Sequence, residues 1–213
     1  MSENNQVDTV HDRLRNGDTA ALAEAFAQHR QRLWRIVNFR LNRRMAGRID
    51  PDDVLQEAYL VTAGRIKHYG TGGFTSPFLW LRLMVQQTLM DVHRRHMATQ
   101  GRDAGREVPI VGQYPQATSA SLAIHLVGDW TSPSQAAARG ELLDQVQAAI
   151  ATMDSMDQEI LALRHFEELT NTEVAETLGI EIKAASMRYI RALQRLKEVL
   201  ASFPGIVEAM QDG

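Results

Sequence analysis

The spacing of apolar residues along the chain is helical over most of its length, and runs of β-branched residues are scarce. The spacing predicts a short helix over 7–15 and longer helices over 18–45, 50–68 and 77–96. A second series of helices follows residue 138. The fold class predicted from this pattern is all-α.

Residues 101–138 interrupt the helical pattern, because Gly, Pro, Ser, Thr and Gln dominate there and no long periodic segment appears. A stretch of this composition and length is typical of a linker between domains. Within it, residues 122–127 are apolar enough to dock as a short piece. The sequence therefore predicts two small helical domains, 1–100 and 139–213, joined by a long linker.

Residues 169–200 contain the most informative pattern: a short helix, a glycine turn and a longer helix. Thr170 or Asn171 offers a side-chain oxygen that caps the short helix. Gly179 ends it, because glycine adopts a left-handed backbone without steric cost. This arrangement predicts a helix-turn-helix (winged-helix-like) domain, whose second helix fits the major groove of DNA.

The second helix of this unit has two faces of different character. Its apolar face consists of Ile182, Tyr189, Leu193, Leu196 and Leu200. Its opposite, cationic face consists of Lys183, Arg188, Arg191 and Arg195, and no acidic residue occurs between Lys183 and Lys197. The missing acids favour DNA contact over an ordinary solvated surface.

Asp50 and Pro51 mark the start of a helix in the first domain. The aspartate side chain accepts hydrogen bonds from the unpaired amides of the first turn, and proline at the first helical position loses no hydrogen bond by lacking an N–H. One face of this helix combines acidic and amide groups with one leucine. Its members are Asp53, Gln56, Glu57 and Leu60. An acidic patch with one leucine on it favours a protein-docking surface.

Composition restricts the function classes further. The net charge is −3, so affinity for nucleic acid has to come from local patches. The chain has no cysteine, which excludes a disulfide framework and zinc–thiolate sites. The N-terminus lacks a signal-peptide core, and no apolar run is long enough to cross a bilayer. We expect a cytoplasmic protein without membrane insertion, metal or cofactor.

Two parts of the chain, one in each predicted domain, resemble the extracytoplasmic-function (group IV) sigma factors of bacterial RNA polymerase. Their order and their separation along the chain are also similar to those of the family. In the first domain the similar segments are RLRNGDTAALAEAF, DVLQE at 53–57, Trp80-Leu81, Asp91 and Arg94. In the second they are MDQEILALRHFEELTNTEVAETLGI, Arg188, Arg191 and Leu196. The run FLWLR…DVHRRH…RDAGRE is further similar to the set of these factors found in planctomycetes.

The resemblance implies a non-enzymatic, monomeric subunit that binds core RNA polymerase and promoter DNA, with an anti-sigma factor as a further partner. The first domain would dock on the polymerase clamp through Asp53, Gln56, Glu57 and Leu60. It would also bind and open the −10 element through Gly73, Phe74, Thr75, Ser76, Gln87, Arg94 and Arg95. The second domain would sit on the polymerase flap and recognise the −35 element through Thr172, Lys183, Ser186, Met187, Arg188, Arg191 and Arg195.

The sequence departs from the family pattern at both DNA sites. Gln87 stands where the family usually has asparagine, and three extra residues lie between Phe74 and Trp80. The second helix begins Lys-Ala-Ala-Ser-Met, where the family often shows Gly-Thr-Val-Lys-Ser. The promoter sequence therefore does not follow from the resemblance.

Two other hypotheses fit parts of the sequence. A free-standing helix-turn-helix regulator with an N-terminal sensing domain would bind duplex DNA by itself, as a dimer on a palindrome. A metal-dependent nuclease would use Asp50, Asp52, Asp53 and Glu57, although capping and docking explain these carboxylates with fewer assumptions.

Overall fold

The computed structural model describes residues 10–41, 49–100, 114–128 and 136–203. Within these ranges the chain forms two compact units, one from the residues up to 100 and one from residue 114 onward. Every regular element in the described ranges is a helix. The predicted all-α fold class is confirmed.

The first unit is built from three long helices that pack on one another: α1 (Thr19–Arg40), α2 (Pro51–Gly64) and α3 (Pro77–Gln100). Residues 10–15 are also helical, and a 3₁₀ turn (Ile66–His68) follows α2. The last residues of the predicted helix 18–45 lie outside the described residues. Leu22, Leu33, Ile36, Val54, Leu81 and Val85 are among the residues that form the buried core.

The start of each of the first two helices follows from local capping. The Asp18 carboxylate accepts from the amides of Ala20 and Ala21, and an ion pair with Arg13 helps to hold its pKa below the usual value. The Asp50 carboxylate accepts from the Asp52 amide at 2.8 Å, with Pro51 at the first helical position. Both predicted starts are confirmed.

The second unit contains α4 (Tyr114–Gly128), α5 (Ala136–Ala151), α6 (Ser155–Leu161), α7 (Asn171–Leu178) and α8 (Ile182–Leu200). One π-helical turn (Ala162–Phe166) continues α6. The long helix α8 packs on α5, α6 and α7. The described part of this unit is helical throughout, without the β-hairpin of a winged helix.

Helix α4 lies inside the range predicted as a linker, and it packs against α5 and α6. The expectation of a plain linker over 101–138 is therefore wrong for these 15 residues. The pattern failed here because much of the face that α4 buries is small and polar. That face comprises Thr118, Ser119, Ser121, Leu122, Ala123 and Val127. Docking of the piece 122–127 is confirmed.

The start of α7 and the turn between α7 and α8 have the local geometry that their residues predict. Thr170 Oγ1 accepts from the Glu173 amide at 3.2 Å, and the Glu173 carboxylate accepts from the Thr170 amide at 2.7 Å. This reciprocal pair is a capping box. Gly179 has φ +64°, and the next amide, that of Ile180, donates to the Ala175 carbonyl at 3.0 Å.

Replacing Thr170 with Ala removes the cap, and we expect the free energy of unfolding to fall by about 1 kcal/mol. Urea denaturation of the full chain, followed by far-UV circular dichroism, measures the change. Thr172→Ala is the matched control, because Thr172 is exposed within the same helix and caps nothing. Equal losses for the two variants would contradict the capping role.

Candidate nucleic-acid interface and docking surfaces

Helix α8 is fixed to its unit by a narrow buried seam. Ala185 and Ala192 are fully buried, and Leu196 and Leu200 continue the same side of the helix. Two small residues in the seam let the α8 backbone approach its neighbours closely. Ile182, expected on this face, is instead 53% exposed, because it lies at the first helical position beyond the cover of α7.

A buried carboxylate holds one flank of α8. Asp157 of α6 is only 8% exposed at its side chain, and its oxygens lie 3.4 Å from Arg188 and 3.8 Å from Arg195. Arg188 also lies 3.5 Å from Asp154, the residue that caps α6. A buried charge without a partner would be costly, so both arginines turn toward α6.

The placement of Arg188 and Arg195 corrects the predicted cationic face. They were expected on the side opposite to the apolar stripe, yet they lie beside the buried seam, next to Asp157. Lys183 and Arg191 do face solvent. The cations of α8 therefore divide into an exposed front and a flank that is tied to α6.

The exposed front of α8 contains two large apolar side chains. Met187 is 48% and Ile190 is 51% exposed. Thr172 of α7 is exposed, and Ser186 is half-buried at the edge of the front. Ile190 is not among the predicted −35 residues. The spacing of Lys183, Met187, Ile190 and Gln194, at i, i+4, i+7 and i+11, is the signal that places it on one stripe.

A second contact links α8 to the π-helical turn. Tyr189 Oη and His165 Nε2 are 2.9 Å apart, and the Arg164 guanidinium lies 5.2 Å from the centre of the Tyr189 ring. Arg164 also donates to the Leu169 carbonyl at 2.7 Å. Burial lowers the pKa of His165, and the charge of Arg164 lowers it further. A neutral imidazole is therefore favoured at this contact.

On the first unit, the predicted docking face of α2 is exposed at three of its four residues. Asp53 and Gln56 face solvent, and Leu60 is 70% exposed. An open groove of about 330 Å³ adjoins them between α1 and α2. Its lining comprises Phe26, Arg30, Asp52, Leu55, Gln56, Tyr59 and Leu60.

Glu57, the fourth residue of that face, is engaged by a residue from the predicted −10 set. Both of its carboxylate oxygens lie within hydrogen-bond distance of Arg95 Nη2, at 2.6 and 2.7 Å. This bond raises the pKa of Arg95. The structure thus brings together one member of each predicted site, across α2 and α3.

The loop before α3 has a constrained shape. Gly73 has φ +66°, and a Cβ on Gly72 would overlap the ring of Phe74. That ring lies parallel to Tyr69, with 6.3 Å between centroids and an interplanar angle of 3°. Burial raises the pKa of the Tyr69 phenol, which also bonds to His11 Nδ1. Phe74 is half-buried, so part of its ring faces solvent.

The other predicted −10 residues have local partners or are exposed. Ser76 Oγ accepts from the Leu79 amide at 3.3 Å and so caps α3. The Gln87 side chain accepts from Arg65 at 2.9 Å. Arg94 pairs with Asp91 one turn earlier, and Thr75 is exposed.

The carboxylates of the nuclease hypothesis do not converge. Asp50 caps α2, Asp52 pairs with Arg30 at 2.6 Å, and Glu57 pairs with Arg95. Within the described ranges, no group of three His, Cys, Asp or Glu side chains is arranged to hold a metal ion. In the same ranges, none of the helices combines the length and apolarity that crossing a bilayer requires.

Residues 149–198 match the family model of sigma-70, region 4. This range includes α6, α7 and most of α8. The solved structure of CnrH in complex with the cytosolic domain of CnrY is similar in fold, with a TM-score of 0.51 and 18% identity. The similarity covers 92% of this chain and 98% of that one.

Three curated relatives are "ECF RNA polymerase sigma factor SigD" from Mycobacterium bovis (strain ATCC BAA-935 / AF2122/97) and from the CDC 1551 / Oshkosh and H37Rv strains of Mycobacterium tuberculosis. Each is 27% identical over 190 residues, which is 87% of this chain and 80% of the relative. Together with the region 4 match, these relatives support the resemblance to extracytoplasmic-function sigma factors.

Proposed function

We propose that this protein is an RNA polymerase sigma factor of the extracytoplasmic-function type, a non-enzymatic subunit that directs core polymerase to promoters and starts transcription. The observation that carries the proposal is the helix-turn-helix of α7 and α8. The capped start of α7, the glycine turn at Gly179 and the exposed cations of α8 lie within the segment that matches sigma-70, region 4. The SigD relatives extend the similarity over both units.

In this proposal the front of α8 enters the major groove of the −35 element. Lys183, Ser186, Met187 and Arg191 face the bases and the nearer phosphates, and Thr172 of α7 contacts the backbone. Arg188 and Arg195, which Asp157 holds on the flank, reach phosphates at the groove edge. Phosphate contacts of this kind fix the register of a recognition helix on the duplex.

The −10 element is bound and opened at the loop and end of α3. Phe74 offers a partly exposed ring against which an unstacked base can lie, beside Gly73, Thr75 and Ser76. When DNA binds, Arg94 leaves Asp91 and Arg95 leaves Glu57, and both arginines pair with DNA phosphates instead. That exchange is easy, because exposed ion pairs contribute only about 0–1 kcal/mol. Gln87 supplies a polar group on the same helix.

The exposed face of α2 docks on the polymerase clamp through Asp53, Gln56, Glu57 and Leu60, and the second unit sits on the flap. Release of Arg95 by DNA frees Glu57 for this contact. An anti-sigma factor is a further partner, which the complex of CnrH with the cytosolic domain of CnrY supports by analogy. We also propose a monomeric cytoplasmic protein of the planctomycete-like subgroup.

Reconstitution with core RNA polymerase tests the function directly. We expect the full chain to form a complex with core enzyme and to direct run-off transcription from a subset of genomic fragments. The protein alone should bind the same fragments weakly. Failure to bind core enzyme, together with tight binding of a palindromic duplex by a dimer, would instead establish a free-standing regulator.

Leu60→Ala should weaken the complex with core polymerase by about tenfold, since an exposed leucine that becomes buried in an interface contributes more than 1 kcal/mol. A binding titration with labelled core enzyme measures the loss. Leu83→Ala is the matched control, because Leu83 is also exposed but lies on α3 outside the docking face. Equal weakening by both variants would place the docking surface elsewhere.

Arg195→Ala should weaken binding of an upstream duplex by a similar factor for every sequence, because a phosphate contact carries no base information. In the complex with core polymerase, the slope of log affinity against log salt should fall in magnitude by about 1. Lys67→Ala, on the first unit, is the charge-matched control and should leave the slope on this duplex unchanged. A loss confined to certain sequences would show that Arg195 contacts a base.

A further inference from the structure

The exposed front of α8 combines apolar and cationic side chains in a defined order. Lys183, Met187, Ile190 and Gln194 lie on one stripe, on the side of the helix away from the buried Ala185. Met187 and Ile190 are both about half exposed, in the middle of the stripe. Two large apolar side chains next to each other on a solvent-facing stripe form a small apolar patch, which apolar groups of a partner can cover.

The charges around the two apolar residues favour duplex DNA as that partner. Lys183 precedes them on the stripe, Arg191 adjoins them, and no acidic residue interrupts the helix between Lys183 and Lys197. The major groove of duplex DNA has apolar groups on its floor and phosphates along its edges, so it matches this arrangement. The inference that DNA covers this surface therefore rests on the proposed function, in which α8 enters the major groove.

Only one apolar group is presented by bases in the major groove, the C5 methyl of thymine. Arginine contacts to guanine are the commonest alternative, but Asp157 draws Arg188 and Arg195 to the flank, which leaves Arg191 as the arginine of the exposed front. Met187 and Ile190 are three residues apart, which is about 4.5 Å along the helix axis at a rise of about 1.5 Å per residue. When α8 lies along the groove, this separation lets the two side chains reach neighbouring base pairs, which are about 3.4 Å apart.

We propose that Met187 and Ile190 are specificity-determining residues that contact the methyl groups of thymines at neighbouring base pairs of the upstream promoter element. Lys183 and Arg191 place the helix in the groove, and the two apolar side chains select T·A pairs on its floor. The element bound by this protein therefore contains at least one thymine whose methyl group adds to affinity.

Substitution of deoxyuridine for thymine tests this inference, since it removes the methyl group and leaves the hydrogen-bonding edge unchanged. Duplexes are first selected from a random pool by the full chain bound to core polymerase, which defines the upstream element. Each thymine of that element is then replaced singly. We expect one or two positions to lose about fourfold in affinity, the value of one buried methylene-sized group.

The same duplexes are then measured with Met187→Ala and Ile190→Ala. Each variant should bind the thymine duplex more weakly and should lose its sensitivity to deoxyuridine at one position. Both residues are exposed, and alanine favours helix, so the fold is retained. Met90→Ala is the matched control, because Met90 is exposed on α3 and should keep the full sensitivity.

Three outcomes would overturn the inference, and they are distinguishable. Sequence-specific binding without any deoxyuridine effect would reject thymine contacts while the proposed function stands. Loss of core-polymerase binding in Met187→Ala, without DNA present, would show that a protein covers this face. Failure to select any sequence in the presence of core polymerase would reject the proposed function itself.

Discussion

The close attachment of α8 to its unit is the constraint on which the candidate DNA interface depends. Gly179 turns the chain in a left-handed conformation, and the small residues Ala185 and Ala192 then bring the helix against α6 and α7. Because Ala185, Ala192, Leu196 and Leu200 are buried along one side of α8, the rotation of the helix about its own axis is set. That rotation decides which side chains reach solvent and which face α6.

The electrostatics of the second unit follow from that rotation. Asp157 is buried at the edge of the seam, and a buried carboxylate requires positive partners. Arg188 and Arg195 supply them and thereby leave Lys183 and Arg191 as the cations of the exposed front. The helix thus separates a flank of arginines paired with Asp157 from an exposed front of apolar and cationic side chains.

In the first unit, the same kind of pairing links the two proposed activities. Arg95 on α3 and Glu57 on α2 are 38 residues apart in sequence, and Arg95 Nη2 contacts both carboxylate oxygens of Glu57. The pair is exposed, so it is weak enough to exchange for external partners. Residues of the two proposed sites are therefore in direct contact.

The sequence by itself determined the all-α class, the helix starts at Asp18 and Asp50, and the glycine turn, and it narrowed the cap of α7 to Thr170 or Asn171. These features depend on groups within a few residues of one another, so local chemistry is sufficient. Only the tertiary structure decided that α4 packs on α5 and α6 and that Arg188 and Arg195 face Asp157. Burial of small polar residues and pairing of distant charges depend on how helices meet, and helical periodicity carries no information about that.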